Sequence, residues 1–259
     1  MSKTALITGA SNGIGYELAK VHAEKGDNLV LIARSKNKLD ELKKELEKKH
    51  RIQVHTIGKD LSVAGAAAEV YDEVKQNNIS IDYLINNAGL GDIGLFANCD
   101  WKKQENMINL NITALAHFTR LYLPDMIKQG SGKILNVAST AAFQPGPTMS
   151  VYFATKAFVL SFSEAVNEEV RDKGITVTAL CPGSTESGFH AAAIGDNKEL
   201  KERRLPSSRK IAEFGYRAMM KGKSVAIPGL MNSIMATSVR FIPRALMVKA
   251  VRKIQEKKH

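Results

Sequence analysis

Short apolar segments alternate with longer helical patterns along this 259-residue chain. An apolar segment at residues 3–8 precedes a helical pattern at 14–25, and a second at 28–33 precedes a charged helical pattern at 36–50. Parallel strands need a connection that crosses over the sheet, and a helix usually supplies it. The alternation therefore predicts an α/β fold, a doubly wound parallel sheet with helices on both faces.

The alternation continues along the chain and indicates a single domain over residues 1–259. Further strands are predicted at residues 52–57, 81–86, 133–138, 175–181 and 224–228, and further helices at 63–76, 104–128, 151–173 and 207–221. Residues 1–183 carry the regular pattern. Residues 184–206 lose it, so we expect a substrate lid over the carboxyl ends of the strands, and residues 230–259 predict one or two basic amphipathic helices.

The segment between the first predicted strand and the first helix is rich in glycine. Gly9 and Gly13 would let the backbone approach a pyrophosphate, whose charge the helix N–H groups and macrodipole stabilise. Gly15 would let the helix pack closely on the strand. Glycine turns without a ligand are also common. We expect this turn to bind a nucleotide through Gly9, Ser11, Asn12, Gly13, Ile14 and Gly15.

The end of the second predicted strand bears on the choice between the two nicotinamide cofactors. An NAD site generally places a carboxylate there, which accepts a hydrogen bond from the ribose 2′-hydroxyl and repels a 2′-phosphate. This chain has Arg34 instead, which can pair with a phosphate and stack on adenine. We therefore predict NADP rather than NAD, although Arg34 could also belong to an ordinary surface loop.

A tyrosine and a lysine stand four residues apart in the predicted helix at residues 151–173. Tyr152 and Lys156 would share one helix face, where the cation favours the phenolate and makes the tyrosine a usable acid or base. The spacing alone is common on solvated helix faces. With Ser139 upstream and Asn111 earlier still, the four residues indicate proton-transfer chemistry.

These motifs make residues 3–183 similar to the classical short-chain dehydrogenase/reductase family. The signatures occur in order as Thr8 to Gly15, Asp60-Leu61, Asn86-Asn87-Ala88-Gly89, the set Asn111, Ser139, Tyr152 and Lys156, and Pro182-Gly183. The resemblance implies a Rossmann-type fold in which Asp60 and Leu61 flank the adenine and the segment Asn87, Ala88 and Gly89 lines the cofactor cleft. It also implies cofactor contacts from Pro182, Gly183 and Ser187, with Ser187 where the family often has a threonine.

The resemblance further implies how a hydride would pass between the nicotinamide and a carbonyl. Ser139 would polarise the carbonyl, and Tyr152 would donate a proton to the developing alkoxide. Lys156 would hold the nicotinamide ribose and lower the tyrosine pKa, while Asn111, at a local break in its helix, would position a water that links Lys156 to solvent. Asn12 departs from the NADP prediction, since many NADP-preferring members have a basic residue there.

The loops expected to line the substrate cleft are mostly apolar. Their large side chains are Phe96, Phe143, Pro145, Met149 and Phe189. They favour a lipophilic ketone, aldehyde or alcohol, and the reduction of a ketone, a 3-oxoacyl group or a steroid would fit equally. A protein that senses NADP(H) without turnover is the alternative from another class. As is common in the family, we expect a homodimer or homotetramer formed through the helices at 104–128 and 151–173.

The formal net charge of +11 is concentrated at one end of the chain. From residue 240 onward the cations are Arg240, Arg244, Lys249, Arg252, Lys253, Lys257 and Lys258, against Glu256. This segment could contact an anionic membrane or an acyl carrier, or pack as a plain helix. We expect no nucleic acid, because no aromatic and basic recognition pattern accompanies the charge.

The remaining composition narrows the functional class. The two cysteines, Cys99 and Cys181, are far apart and the histidines are scattered, which predicts no disulfide framework and no metal site. Neither a secretory signal nor a long apolar run is evident in the sequence. These features favour a cytoplasmic protein.

Overall fold

The sheet has the predicted parallel, doubly wound form. The structure, a computed structural model, describes residues 2–185 and 206–256. Within them, all strand pairs are parallel and the order is β3-β2-β1-β4-β5-β6-β7. The strands are β1 (Thr4–Thr8), β2 (Asn28–Ala33), β3 (Val54–Gly58), β4 (Tyr83–Asn86), β5 (Gly132–Val137), β6 (Ile175–Leu180) and β7 (Val225–Ala226). The last strand is shorter than the predicted 224–228.

Helices connect the strands as the sequence pattern predicts, with one difference. They are α1 (Gly13–Glu24), α2 (Lys36–Lys49), α3 (Ala66–Gln76), α4 (Trp101–Ile108), α5 (Leu115–Gln129), α6 (Ser150–Val170), α7 (Ser208–Met220), α8 (Leu230–Ser238) and α9 (Arg244–Glu256). The helix predicted at 104–128 is longer and is interrupted by a π-helical segment, Asn109–Ala114, between α4 and α5. Periodicity could not reveal one extra residue in a turn, although π turns are frequent at functional sites.

Both faces of the sheet are covered by apolar packing. Successive side chains of a strand point to opposite faces. Ile7 and Leu31 pack on one side with α1, α2 and α7. Leu6, Val30 and Ile32 pack on the other side with α3, α5 and α6. All five side chains are fully buried, so the short strands read as continuous apolar runs.

Polar side chains also lie inside this core. Asn86 Nδ2 donates to Asn136 Oδ1 at 2.9 Å and to Thr119 Oγ1 at 3.2 Å. Asn136 Nδ2 donates to Ser163 Oγ at 2.9 Å, and Ser163 Oγ donates to the Val159 carbonyl. We call Asn86, Thr119, Asn136 and Ser163 the core amide network. It ties β4 and β5 to the helices α5 and α6.

The strand order reverses beside β1, because β2 flanks it on one side and β4 on the other. Ligands of open α/β sheets bind in the crevice at the carboxyl ends of the strands at such a point. The glycine turn follows β1, and the Asn87 to Gly89 segment follows β4. Ser139 follows β5 and Pro182 follows β6, so the topology brings the predicted site residues to one edge of the sheet.

Candidate active site

The glycine turn leaves no room for side chains. A Cβ on Gly9, whose φ is +67°, would lie 2.9 Å from the Ala88 Cα. A Cβ on Gly15 would lie 2.4 Å from the Gly9 carbonyl oxygen and 2.3 Å from Asn87 Nδ2. Gly15 therefore lets α1 approach the turn and Asn87 closely. With Gly13 at φ +59° opening α1, this bare backbone fits a pyrophosphate at a helix N-terminus.

Thr8, which the sequence analysis left out of the site, joins the turn to the strand β4. Its hydroxyl accepts the backbone N–H groups of Asn87 at 2.9 Å and Ala88 at 3.0 Å. Asn87 Nδ2 in turn donates to the Thr8 and Gly9 carbonyls at 2.9 and 3.3 Å. In the sequence, the available signal for this role was a hydroxyl side chain at the end of β1. These bonds fix the two walls of the crevice against each other.

Arg34 lies at the end of β2 with its side chain exposed and makes no ion pair with a described residue. Arg34 lies close enough to Asp60 for its charge to lower the pKa of that carboxyl. Burial raises the pKa of Asp60, but hydrogen bonds from the Ser62 N–H and hydroxyl and the charge of Arg34 lower it below its usual value on balance. Asn12 caps α1 by accepting the Gly13 N–H at 2.7 Å, and Leu61 is buried beneath this edge.

Tyr152 and Ser139 meet at the carboxyl end of β5. Tyr152 is 9% exposed, and the Ser139 hydroxyl lies close enough to the phenol to act on its pKa. Ser139 is itself held by the end of β6, because its hydroxyl lies 3.5 Å from the Pro182 carbonyl and accepts the Ala141 N–H at 3.1 Å. The phenol and the serine hydroxyl can therefore hydrogen-bond to the same substrate atom.

Lys156 and Asn111 lie behind the tyrosine on the buried side. Lys156 Nζ donates to the Val137 carbonyl at 2.7 Å and lies 5.9 Å from the centroid of the Tyr152 ring. A Cβ on Gly89 would lie 3.4 Å from Asn111 Oδ1 and 3.5 Å from Lys156 Nζ, so both groups approach the backbone of Gly89. We call Asn111, Ser139, Tyr152 and Lys156 the Tyr152 cluster.

Asn111 lies in the π-helical segment, as the expected local break requires. Its Oδ1 accepts the Leu90 N–H at 2.8 Å, and its Nδ2 donates to the Leu90 carbonyl at 2.9 Å. The same Nδ2 donates to Thr155 Oγ1 at 3.0 Å. Asn111 thus clamps the loop after β4, and Leu90 and Thr155 are supporting residues that the sequence motif did not include.

Burial displaces the proton affinities of both titratable groups. Burial raises the pKa of Tyr152 to about 12, although the neighbouring Ser139 hydroxyl acts to lower it. Burial lowers the pKa of Lys156 to about 8. A phenol and an amine with displaced pKa values at the edge of a cleft are typical of functional sites.

Apolar side chains surround Tyr152. Met107, Ala141 and Phe153 are buried beside it, and Met149 packs against them as expected. The C-terminal helix α9 adds Met247 and Val251, which the sequence analysis did not place in the cleft. Phe96 is instead 59% exposed, and Phe143 packs against a separate core cluster. The surroundings of Tyr152 are apolar, and α9 forms part of them.

The remaining predicted contacts lie at the end of β6. Pro182 accepts the Thr140 N–H at 2.9 Å, and a Cβ on Gly183 would lie 2.9 Å from Asn232 Nδ2 of α8. Ser187, Phe189 and most of the predicted lid at 184–206 lie outside the described residues. Over residues 2–185 and 206–256 no group of three or more metal-ligating side chains occurs. None of the described helices is long and apolar enough to cross a membrane.

Comparison with known proteins assigns the family. Residues 3–198 match the family described as short chain dehydrogenase. The very-long-chain 3-oxoacyl-CoA reductase of Homo sapiens is 35% identical over 192 residues, covering 70% of this chain and 59% of that protein. Very-long-chain 3-oxoacyl-CoA reductase-B of Danio rerio is 35% identical over 195 residues, with the same coverage of 70% and 59%. The chain thus covers less than two thirds of the length of these relatives.

Solved structures agree over nearly the whole chain. The short-chain dehydrogenase from Sphingobium yanoikuyae in complex with NADPH is 31% identical, with a TM-score of 0.82 over 94% of this chain and 97% of that one. The bulky-bulky ketone specific alcohol dehydrogenase from Comamonas testosteroni is 31% identical, with a TM-score of 0.78 over 94% and 96%. The protein is therefore a member of the classical short-chain dehydrogenase/reductase family of oxidoreductases.

Proposed function

We propose that the protein is an NADP(H)-dependent oxidoreductase that interconverts a lipophilic ketone or aldehyde and the corresponding alcohol. The observation that carries this proposal is the Tyr152 phenol beside the Ser139 hydroxyl, with the Lys156 amine behind it, among apolar side chains. NADPH, when bound, would supply the hydride. The protein's own task is then to orient the carbonyl, deliver one proton and exclude water.

Each member of the Tyr152 cluster has a distinct role in this proposal. Ser139 donates a hydrogen bond to the carbonyl oxygen and polarises it. Tyr152 transfers its hydroxyl proton to that oxygen as the carbonyl carbon gains a hydride, so that the alcohol forms and a phenolate is left. Lys156, when protonated, stabilises that phenolate and holds the nicotinamide ribose. Asn111 is a positioning residue for a water that returns a proton to the tyrosine.

Arg34 supports NADP as the cofactor. Its exposed guanidinium stands at the end of β2, where a 2′-phosphate would be bound, and no described acid pairs with it. We predict that Arg34→Ala raises the Kd of NADPH about tenfold and leaves that of NADH nearly unchanged, as expected for one charge-assisted hydrogen bond. Fluorescence titration measures both, with Lys38→Ala as the matched control. An equal effect on both cofactors would contradict the assignment.

The apolar cluster favours a lipophilic substrate without selecting one chemical subclass. A ketone, a hydroxysteroid and a 3-oxoacyl thioester all present a carbonyl on an apolar body. The names of the relatives, very-long-chain 3-oxoacyl-CoA reductase and bulky-bulky ketone specific alcohol dehydrogenase, point to acyl thioesters and large ketones. The alternative from another class, a sensor of the NADP(H) ratio, would bind the cofactor equally well but would not convert a substrate. A turnover assay therefore distinguishes the sensor from the enzyme.

A panel of carbonyl substrates assayed with NADPH and NADH tests the proposal directly. We predict that Tyr152→Phe lowers kcat by about a thousandfold, because general acid catalysis contributes on this scale. NADPH binding should change little. Tyr122→Phe is the matched control, since the Tyr122 hydroxyl is buried and makes no hydrogen bond with a described residue. Substantial turnover by Tyr152→Phe would overturn the mechanism, and tight NADPH binding without turnover on any substrate would favour the sensor.

Self-association through the long helices is part of the same proposal. Trp101 on α4 is 59% exposed, and Ile127 on α5 and Phe158 on α6 are 39% and 37% exposed. Apolar side chains at such positions suit a homodimer or homotetramer. Sedimentation velocity on the wild type and on Trp101→Ser with Phe158→Ser tests this, and a monomeric wild type would exclude it.

A further inference from the structure

The first C-terminal helix, α8, presents its largest apolar side chains to solvent. Leu230, Met231, Ile234 and Met235 are 78%, 68%, 53% and 51% exposed. Their spacing places them on one side of the helix. Ala236, by contrast, is 4% exposed. The helix therefore packs on the protein through small side chains and exposes the large ones, the reverse of an ordinary surface helix.

The pattern continues beyond α8. Phe241 is 83% exposed in the turn between the two helices, and Leu246 and Ile254 of α9 are 58% and 56% exposed. Met247 and Val251 point the other way, into the apolar cluster around Tyr152. The large apolar side chains of α9 are therefore divided between the interior and solvent. We call the exposed side chains of residues 230–254 the C-terminal surface.

The charge of the C-terminal surface has one sign. Arg240, Arg244, Lys249 and Lys253 are exposed, and none of them makes an ion pair with a described residue. The sequence contains no Asp or Glu between residues 230 and 254. Some basic side chains elsewhere are paired with acids, as Lys49 is with Glu45 at 2.6 Å. The surface is thus both apolar and cationic.

The apolar side chains and the positive charge together indicate the chemistry of the partner. If two copies met through this surface, cations would face cations without a described acid to compensate them. A nucleic acid would pair with the cations but leave the large aliphatic groups against water. An anionic bilayer satisfies both, because its headgroups attract the basic side chains while its interface takes up Leu, Ile, Met and Phe side chains.

We propose that the C-terminal surface docks on an anionic lipid bilayer. The opposite side of α9 carries Met247 and Val251, which pack beside Tyr152. Docking would thus bring the wall of the apolar cleft next to the lipid, and an apolar substrate could enter from it. Delivery of substrate rests on the proposed function, whereas docking does not.

Vesicle sedimentation with the whole chain tests the docking by itself. The probes are phosphatidylcholine vesicles with and without phosphatidylserine, at low and high salt. We expect binding to the anionic vesicles that weakens as salt screens the charges. Arg240→Glu with Arg244→Glu should lower the partition coefficient about tenfold or more, because each basic residue near the surface contributes on the order of a threefold to tenfold factor. Phe241→Ser with Leu246→Ser should lower it similarly.

Matched control variants replace the same kinds of side chain outside the C-terminal surface. Lys44→Glu with Lys48→Glu reverses two exposed cations of α2, and Val63→Ser removes a side chain that is 59% exposed outside the C-terminal surface. Neither should change vesicle binding. Absence of binding to phosphatidylserine vesicles at low salt would overturn the proposal, as would equal losses in the controls. Vesicle sedimentation needs no turnover. A failure of docking can therefore be distinguished from a failure of the oxidoreductase proposal.

Discussion

Two buried polar clusters lie one after the other along β5 and α6. The core amide network uses Asn136 of β5 and Ser163 of α6. The Tyr152 cluster uses Ser139, just beyond β5, and Lys156, two helical turns before Ser163. Both clusters thus use residues on or next to the same two elements. The difference between them is that only the Tyr152 cluster contains groups that titrate.

The core amide network consists of neutral side chains that bind each other, and its two hydroxyl groups donate to main-chain carbonyls. Asn86, Asn136 and Ser163 form a chain of hydrogen bonds, and only the Asn86 Oδ1 atom is buried without a partner among the described residues. The Tyr152 cluster likewise uses a main-chain acceptor, the Val137 carbonyl for Lys156. It also contains two ionisable groups whose pKa values burial has displaced. The first arrangement stabilises the fold, and the second retains groups that can exchange protons.

The comparison teaches that burial of polar residues does not by itself indicate function. A hydrogen-bonded network of neutral groups contributes to stability but supplies no acid or base for catalysis. A buried amine lowers stability when it is charged, so its presence needs another explanation. The two clusters should therefore respond oppositely to apolar substitution.

The largest effect is expected from Lys156→Met. It should lower kcat/KM about a thousandfold, since it removes the cation that stabilises the phenolate, a loss of about 4 kcal/mol. The same change should raise the free energy of unfolding by about 1–3 kcal/mol at neutral pH, because a buried charge is replaced by an apolar side chain. Steady-state kinetics and urea unfolding measure the two. Lys133→Met, a half-buried lysine of β5, is the control for kcat/KM.

The pH dependence of Lys156 follows from the same burial. Its pKa is about 8 in the folded protein, against 10.5 for an ordinary lysine. The unfolded chain therefore binds more protons between these values, and the wild type should gain stability relative to Lys156→Met as the pH rises from about 8 to 10.5. Reductase kcat/KM should fall above about pH 8, where the amine loses its charge. A stability difference independent of pH would contradict this account.

An intermediate effect is expected in the core amide network. Asn136→Ala deprives Asn86 of an acceptor and Ser163 of a donor, and leaves a small cavity. We expect a loss of about 2–4 kcal/mol in the free energy of unfolding, typical of breaking a buried network. kcat/KM should change less than about threefold, since no group of the Tyr152 cluster is removed. Urea unfolding and kinetics check this, with the exposed Asn37→Ala as control. A large loss of kcat/KM at unchanged stability would reverse the assignment of the two clusters.

Much of this arrangement could be predicted from the sequence because it depends on local signals. Strand and helix alternation predicted the doubly wound parallel sheet, although not the order of its strands. The glycines after β1 predicted the turn, in which Gly9 and Gly13 have φ near +60°. The Asn111 break was expected from the family resemblance and lies in a π-helical segment. The Thr8 bridge between β1 and β4 was missed, because it joins residues about 80 positions apart and a threonine hydroxyl has no periodic pattern.

The C-terminal region was the least predictable. Met247 and Val251 belong to the same apolar stripe as Leu246 and Ile254, yet only the first pair is packed inside. A stripe shows that a helix is amphipathic, but it does not show which part of the stripe meets the protein. That choice depends on where α9 crosses the edge of the cleft. Tertiary contacts with distant residues such as Met107 decide it.

The smallest effect is expected from a substitution of Thr155, which tests whether this residue supports the Tyr152 cluster. Thr155 touches no reacting atom, but its hydroxyl accepts the Asn111 Nδ2 at 3.0 Å. Thr155→Val should lower kcat about fivefold, the value of one net hydrogen bond of about 1 kcal/mol, and leave the Kd of NADPH unchanged. Thr155→Ser keeps the acceptor and should restore kcat. If both variants lose kcat equally, Thr155 acts through packing, as the core amide network does, and its assignment as a support of the Tyr152 cluster is wrong.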